Sequence, residues 1–264
     1  SSGIGKAIAE YFSKKGWNVA ATMRNPKSSD LGTLPNSKIY KLDVTDELSI
    51  KDAIQSAIDD FGNIDVIVNN AGYGAVGVLE KATDKQLRRQ FDVNVFGVFN
   101  VIREILPYFR SKSKGTIINI TSVGGRLTFP LYSAYHGTKW AVEGFAESLQ
   151  YELKPFGIKI KNVEPGAIKT DFYDRSQDLF KNDELKNYDE YERVCMGNMQ
   201  KTGEKAPGPL VVAKVVWKAA NSNSNKLRYI AGNDAKMLLF IRKIIPLNWF
   251  MGLVRSVVEK GYKK

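Results

Sequence analysis

Apolar residues recur along this chain in two alternating rhythms, one helical and one extended. After Gly5, the residues Ile8, Ala9 and Phe12 have helical spacing, and Gly16 offers a natural C-terminal cap. Short apolar runs at 18–23, 39–44, 64–68, 116–120 and 158–163 read as buried strands. Helical patterns lie between them. Asp46 is placed to cap a helix whose stripe is Ile50, Ala53, Ile54, Ala57, Ile58 and Phe61, closed by Gly62. Asp84 is expected to cap a long helix towards Phe109, with Pro107 near its end, and a further helix is expected over 133–156. A helix at 211–220, a last strand at 227–230 and an amphipathic helical remainder complete the pattern. Strands alternating with helices predict an α/β fold, a doubly wound parallel sheet between two helical layers, in a single domain over 1–264.

Three stretches modify this picture. The opening Ser1-Ser2-Gly3-Ile4-Gly5 reads as the second half of a glycine-rich turn with no strand before it. A doubly wound sheet needs that strand at its centre, so the numbering is expected to omit a short N-terminal segment. Residues 171–206, polar, charge-dense and poorly periodic, are expected to form a substrate lid above the C-terminal edge of the sheet, where ligands bind in open α/β folds. Residues 233–264 are expected to be a helical extension. Its most apolar part, 237–258, is interrupted by Arg242, Lys243, Pro246 and Arg255 and is too broken to span a bilayer. It reads as packing or a pocket cap, with the alternative that it lies on a membrane surface.

Composition narrows the chemistry. The chain has 264 residues and a formal net charge of +11, but the positive residues are scattered and lysine-rich stretches are short, which reads as a solvated basic surface and not a nucleic-acid site. One cysteine, Cys195, excludes an intrachain disulfide, and it reads as a passive thiol. With His136 the single histidine, zinc sites built on His/Cys clusters are disfavoured, and no metal is expected. No signal peptide is visible, and the reading is a cytoplasmic protein.

Gly3 and Gly5 let a backbone turn approach a pyrophosphate at the positive end of the following helix, although many tight turns contain Gly-x-Gly. Tyr135 and Lys139, four residues apart, share a helix face. An ammonium about 5 Å from a phenol, at an effective dielectric near 20, favours the phenolate by roughly 3 kcal/mol, about 2 pK units. That brings a phenol towards the range where general acid/base catalysis works. Ser122, just past the strand at 116–120, offers a hydroxyl to a substrate oxygen.

Taken in order, Ser2-Gly3-Ile4-Gly5, Asn69-Asn70-Ala71-Gly72, Asn94 in Val93-Asn94-Val95-Phe96-Gly97, Ser122, Tyr135-His136-Gly137-Thr138-Lys139 and Pro165-Gly166 resemble the short-chain dehydrogenase/reductase family over essentially the whole chain. The resemblance implies a Rossmann-type domain and a nicotinamide-dependent oxidoreductase. It implies that Tyr135 is the general acid in reduction and the base in oxidation, that Lys139 holds the nicotinamide ribose and lowers the tyrosine pKa, that Ser122 polarises the substrate carbonyl, and that Asn94 holds a helix kink and a proton-relaying water. It further implies a cofactor lined by Ser2, Gly3, Ile4, Asp43, Val44, Asn69, Ala71 and Gly72 at the adenosine side and by Pro165, Gly166, Ile168 and Thr170 at the nicotinamide. Relatives assemble through the helices expected at 84–109 and 133–156, which implies a homo-oligomer.

Cofactor choice follows from the corner after the second strand of the family fold, which reads Thr22-Met23-Arg24-Asn25. NAD-specific members place a carboxylate there for the ribose hydroxyls. No acid stands at Thr22 or Met23, and Arg24 offers a planar fork to a 2′-phosphate, unless it simply points into solvent. The expectation is NADP(H). Phe129, Leu131, Tyr132, Phe172, Tyr173 and Phe180 suggest an apolar site, and the C-terminal part is similar to hydroxysteroid and retinol dehydrogenase-like members, which implies a lipophilic ketone or aldehyde. The competing readings are a cofactor-binding scaffold without turnover and a nucleic-acid binder motivated by net charge alone.

Overall fold

The computed structural model describes residues 2–170 and 177–263. Among the described residues, eight parallel-paired strands are distributed among three sheets. β1 (Val19–Met23) pairs with β2 (Ser37–Lys41), and β3 (Val66–Asn69), β5 (Gly115–Ile120), β6 (Ile158–Pro165) and β8 (Arg228–Ala231) form a four-stranded sheet in the order β3-β5-β6-β8. β4 (Gly74–Val76) pairs with β7 (Gln177–Leu179) beside it.

Alternation along the central strands sorts their side chains to two faces. Ile117, Ile158 and Ile160 join a core made with α2 (Glu47–Phe61), α4 (Gly97–Lys112) and α5 (Ser133–Leu153). Ile118, Ile120 and Val163 face a second core made with α1 (Gly3–Lys14) and α7 (Leu210–Ala220), where Phe12, Trp17 and Trp217 meet edge to face. This is the expected three-layer α/β domain. Among the described residues the β1–β2 pair does not hydrogen-bond to β3; a cavity of about 1560 Å³ lies between them, lined by residues of β1 and β3 and, beyond the strand ends, by Arg24, Asp43 and Gly72.

Several local expectations are corrected, and others gain detail. The strand expected at 39–44 is Ser37–Lys41, because its partner β1 ends at Met23, opposite Lys41, and Leu42, Asp43 and Val44 lie beyond the paired register. The cap of α3 (Asp84–Phe91) is Thr83 and not Asp84: the Thr83 hydroxyl accepts from the Gln86 amide, and the Gln86 side chain accepts from the Thr83 amide. The long helix towards Phe109 is divided by a π-helical segment, Asp92–Phe96, before α4 begins. The poorly periodic 171–206 stretch contains α6 (Asp189–Glu204), anchored where the buried ammonium of Lys81 reaches Asp189 at 2.8 Å and Glu192 at 2.7 Å. The C-terminal extension is two helices, α8 (Asn233–Ile244) and α9 (Leu247–Val258). Asp46 caps α2 as expected, accepting from the amides of Leu48 and Ser49, and Gly62 closes it with φ 75°.

Candidate functional site

Parallel strands end on one edge, so the residues following β1, β3, β5 and β6 gather there. Arg24 follows β1 and is exposed; Asn70, Ala71 and Gly72 follow β3; Ser122 follows β5; Gly166 follows β6. α1 starts at the same edge with Ser2 as its extended N-cap and Gly3 at φ 59°. A side-chain carbon on Gly3 would stand 3.6 Å from Thr170, and one on Gly5 would stand 2.7 Å from the Asn70 amide nitrogen, so this helix start is wedged between the two loops expected to hold a dinucleotide. Ile4 and Ile168 turn inward into the core beneath it.

The catalytic candidates converge. Lys139, on α5 one turn after Tyr135, lies with its ammonium 5.8 Å from the Tyr135 ring and donates to the Ile120 carbonyl at 2.9 Å. That bond ties α5 to the end of β5, two residues before Ser122. Burial pushes the Lys139 ammonium down to about 8, against the opposing charge of Glu143 one turn further on. Tyr135, Lys139 and Ser122 are all partly exposed, while Asn94 is buried. The Asn94 amide oxygen accepts from the Tyr73 amide at 3.1 Å, and its nitrogen donates to the Tyr73 carbonyl at 2.8 Å and to the Thr138 hydroxyl at 3.3 Å. The side chain at the π segment therefore clamps the turn after β3 to the helix bearing Tyr135. A side-chain carbon on Gly72 would sit 3.1 Å from the Asn94 amide oxygen and 3.9 Å from the Lys139 nitrogen, so glycine keeps this corner open.

The outer cofactor candidates spread along the same edge. Asp43 accepts from the Thr45 amide and hydroxyl, and these bonds, aided by the nearby charges of Arg24 and Lys41, hold its carboxyl below the usual range. Val44 packs against Gly97, where any side chain would collide with it. Asn69 turns inward instead of towards the edge: its amide donates to Asn119 at 2.9 Å, and Asn119 donates to Asn162 at 3.1 Å, a ladder of buried asparagines across β3, β5 and β6. At the nicotinamide side, Pro165 is buried and the Gly166 amide donates to the Ala231 carbonyl. The Asp234 carboxylate accepts from the Ala167 amide at 3.2 Å and presses so closely on Gly166 and Gly232 that a methyl group on either would overlap it.

Sequence reasoning did not identify Asn119, Asn162 and Asp234 as parts of this framework, although polar residues inside apolar strand patterns were a visible signal for the first two. It also set His136 aside. This imidazole is buried, bonded through Nδ1 to the Gly124 carbonyl at 2.9 Å and accepting at Nε2 from the Phe129 amide at 2.9 Å, so it pins the loop after Ser122. Leu131 and Phe180 are buried in packing clusters, Phe129 and Tyr132 are partly buried, and Phe172 and Tyr173 lie outside the described residues. Among the described residues no group of His, Cys, Asp and Glu could hold a metal ion.

Burial pushes His136 down to about 4 from 6.5, opposed by its bond to the Gly124 carbonyl. The unfolded chain takes up the proton first, so the stabilising contribution is complete above pH 6.5 and is lost as pH falls towards 4, up to about 3 kcal/mol. Melting temperatures measured across this window should fall more steeply for the wild type than for His136→Leu, and equal slopes would count against the buried neutral imidazole.

Comparison with known proteins bears on the family and the fold. A family model described as short chain dehydrogenase matches residues 1–179. An uncharacterized oxidoreductase of Schizosaccharomyces pombe is 40% identical over 238 residues, covering 89% of this chain and 98% of that protein. A short-chain dehydrogenase structure from Streptomyces avermitilis superposes with a TM-score of 0.80 at 32% identity, covering 99% of this chain and 95% of that one. The structure of ElxO with NADP bound has a TM-score of 0.69 at 29% identity, covering 87% and 93%. A Burkholderia phymatum enzyme in complex with NAD, at 21% identity and a TM-score of 0.77 over 92% and 89%, shares the fold.

Proposed function

Since the chain belongs to the short chain dehydrogenase family, we propose that it is an NADP(H)-dependent oxidoreductase acting on a lipophilic ketone or aldehyde, or the corresponding alcohol, with Tyr135 as general acid/base. The observation that carries this reading is the Lys139 ammonium, 5.8 Å from the Tyr135 ring and bonded to the strand end that leads into Ser122. A dinucleotide fits the residues present: the open corner at Gly72, the Gly3 turn beside Thr170 and the 12-residue helix behind it form a cradle that side chains would fill. When bound, the nicotinamide supplies or accepts the hydride. In reduction the Ser122 hydroxyl donates to the substrate carbonyl oxygen and orients it, and the Tyr135 phenol delivers its proton there; in oxidation the phenolate takes that proton back. Lys139 stabilises the phenolate and offers its remaining donors to the ribose, while Asn94 and His136 hold the surrounding backbone in place.

Arg24 is exposed at the end of β1, and the neighbouring Asp43 carboxylate is engaged by Thr45, which leaves the guanidinium able to meet a 2′-phosphate. One charge-assisted hydrogen bond of about 1.5–3 kcal/mol corresponds to roughly a 10- to 150-fold preference. Arg24→Ser should therefore lower kcat/KM with NADPH by about that factor while changing it little with NADH. An unaltered cofactor ratio would remove Arg24 from the argument. A panel of steroids, retinoids and aliphatic aldehydes, with the matching alcohols, run with both cofactors tests the substrate class; turnover confined to small polar carbonyls would reject it.

A further inference from the structure

The two C-terminal helices have an apolar side that the core does not use. On α8, Ala235 and Leu239 are buried, whereas Met237, Phe240 and Ile244, at intervals of three and four residues, line the opposite, exposed face. On α9, Phe250 and Val258 are buried, while Trp249, Leu253 and Val257 form an exposed stripe at intervals of four. Trp249 is 73% exposed and Phe240 63%, values at which single large apolar side chains already cost solvation; here they occur in stripes on two helices joined by Ile245 and Pro246.

The exposed charges beside these stripes are mostly cationic. Between Asp234, which is engaged by the Ala167 amide, and Glu259, which pairs with Arg255 at 3.6 Å, the chain carries Lys236, Arg242, Lys243 and Arg255 and no aspartate or glutamate. Lys236 and Lys243 are exposed along one edge of the α8 stripe. We propose that α8 and α9 lie on the surface of an anionic lipid bilayer, with the apolar stripes in the headgroup–acyl boundary and the lysines and arginines among the lipid phosphates. A second copy of the chain would fit this face less well, because a twofold contact brings the same patch against itself and would set two cationic rims together. An anionic bilayer complements both properties at once. Neither helix crosses the bilayer: no helix among the described residues is long and apolar enough to do so. The inference does not depend on the proposed reaction, since none of these side chains belongs to the cofactor or proton machinery.

Sedimentation of the full chain with vesicles made of equal parts phosphatidylcholine and phosphatidylserine tests it, against pure phosphatidylcholine vesicles at low and high salt. The wild type should partition onto the anionic vesicles, less onto the neutral ones, and be released by salt. Withdrawing one large apolar side chain from the boundary in Phe240→Ser or Trp249→Ser should weaken partition about tenfold or more. The pair Lys236→Gln and Lys243→Gln should weaken it about fivefold per charge and flatten the salt dependence. All of these variants should keep the wild-type melting temperature and cofactor affinity. No wild-type binding to anionic vesicles at low salt, or binding that survives the apolar substitutions, overturns the proposal. So does a wild type that ignores vesicles and is a dimer by light scattering that Trp249→Ser makes monomeric, which would assign the face to a second copy.

Discussion

Tyr135→Phe is expected to lower turnover with any accepted carbonyl by about 10²- to 10⁴-fold, with NADPH affinity held within a few-fold. The substitution deletes one oxygen and leaves the ring, which meets Tyr132 edge to face at 6.0 Å and His136 at a tilt at 5.8 Å, in its place. Cofactor binding therefore survives while the proton route to the substrate oxygen is cut. Steady-state kinetics beside a direct cofactor titration separate the two effects. A Tyr135→Phe protein that turns over at the wild-type rate would falsify the acid/base assignment.

The second large effect is expected at Lys139→Met, which keeps the length of the side chain and removes its charge. The ammonium lies 5.8 Å from the ring centroid. At a charge separation of about 5 Å and an effective dielectric near 20 it favours a phenolate by about 3 kcal/mol, so its removal should cost about 10²-fold in turnover, with a further loss of cofactor affinity as a donor to the ribose disappears. The pH dependence has a definite sign. Burial lowers Lys139 to about 8, so the ammonium is present below that pH and neutralised above it. Cofactor affinity of the wild type should fall as pH rises through about 8, and the Met variant should lack that limb. A variant with the same alkaline decline would show that another group titrates there.

Much of this arrangement is legible in the residues. The central strands β5 and β6 show in their isoleucines and valines despite the buried Asn119, Lys161, Asn162 and Glu164 among them, and the residues proposed to carry the chemistry stand at or just past strand ends, at Asn69-Asn70, Ser122 and Pro165-Gly166. Asp46 and Gly62 mark both ends of α2 because each supplies an interaction that depends on residue type. The π segment at Asp92–Phe96 escapes a periodicity reading, since Val95, Val98, Val101, Ile102 and Ile105 keep a helical rhythm through it and the backbone alone records the wider turn. Thr83 and Asp84 are both capping residue types, and only the reciprocal bond with Gln86 selects between them. β4 and β7 have three residues each, too few for any alternation to register. α6 goes unread because its fully buried positions are few, Val194, Cys195 and Gly203, in a segment dense with charge. The asparagine ladder depends on strand register, which brings Asn69, Asn119 and Asn162 side by side and which no single segment specifies.

The wedge of Asp234 between Gly166 and Gly232 has a consequence for how descendants of this sequence can diverge. A side chain on either glycine requires the carboxylate to swing away, and a retreating carboxylate strands the Ala167 amide it accepts from. Substitutions at these positions should therefore be coupled: the effect of a side chain in place of Gly166 is expected to depend on which residue stands at position 234.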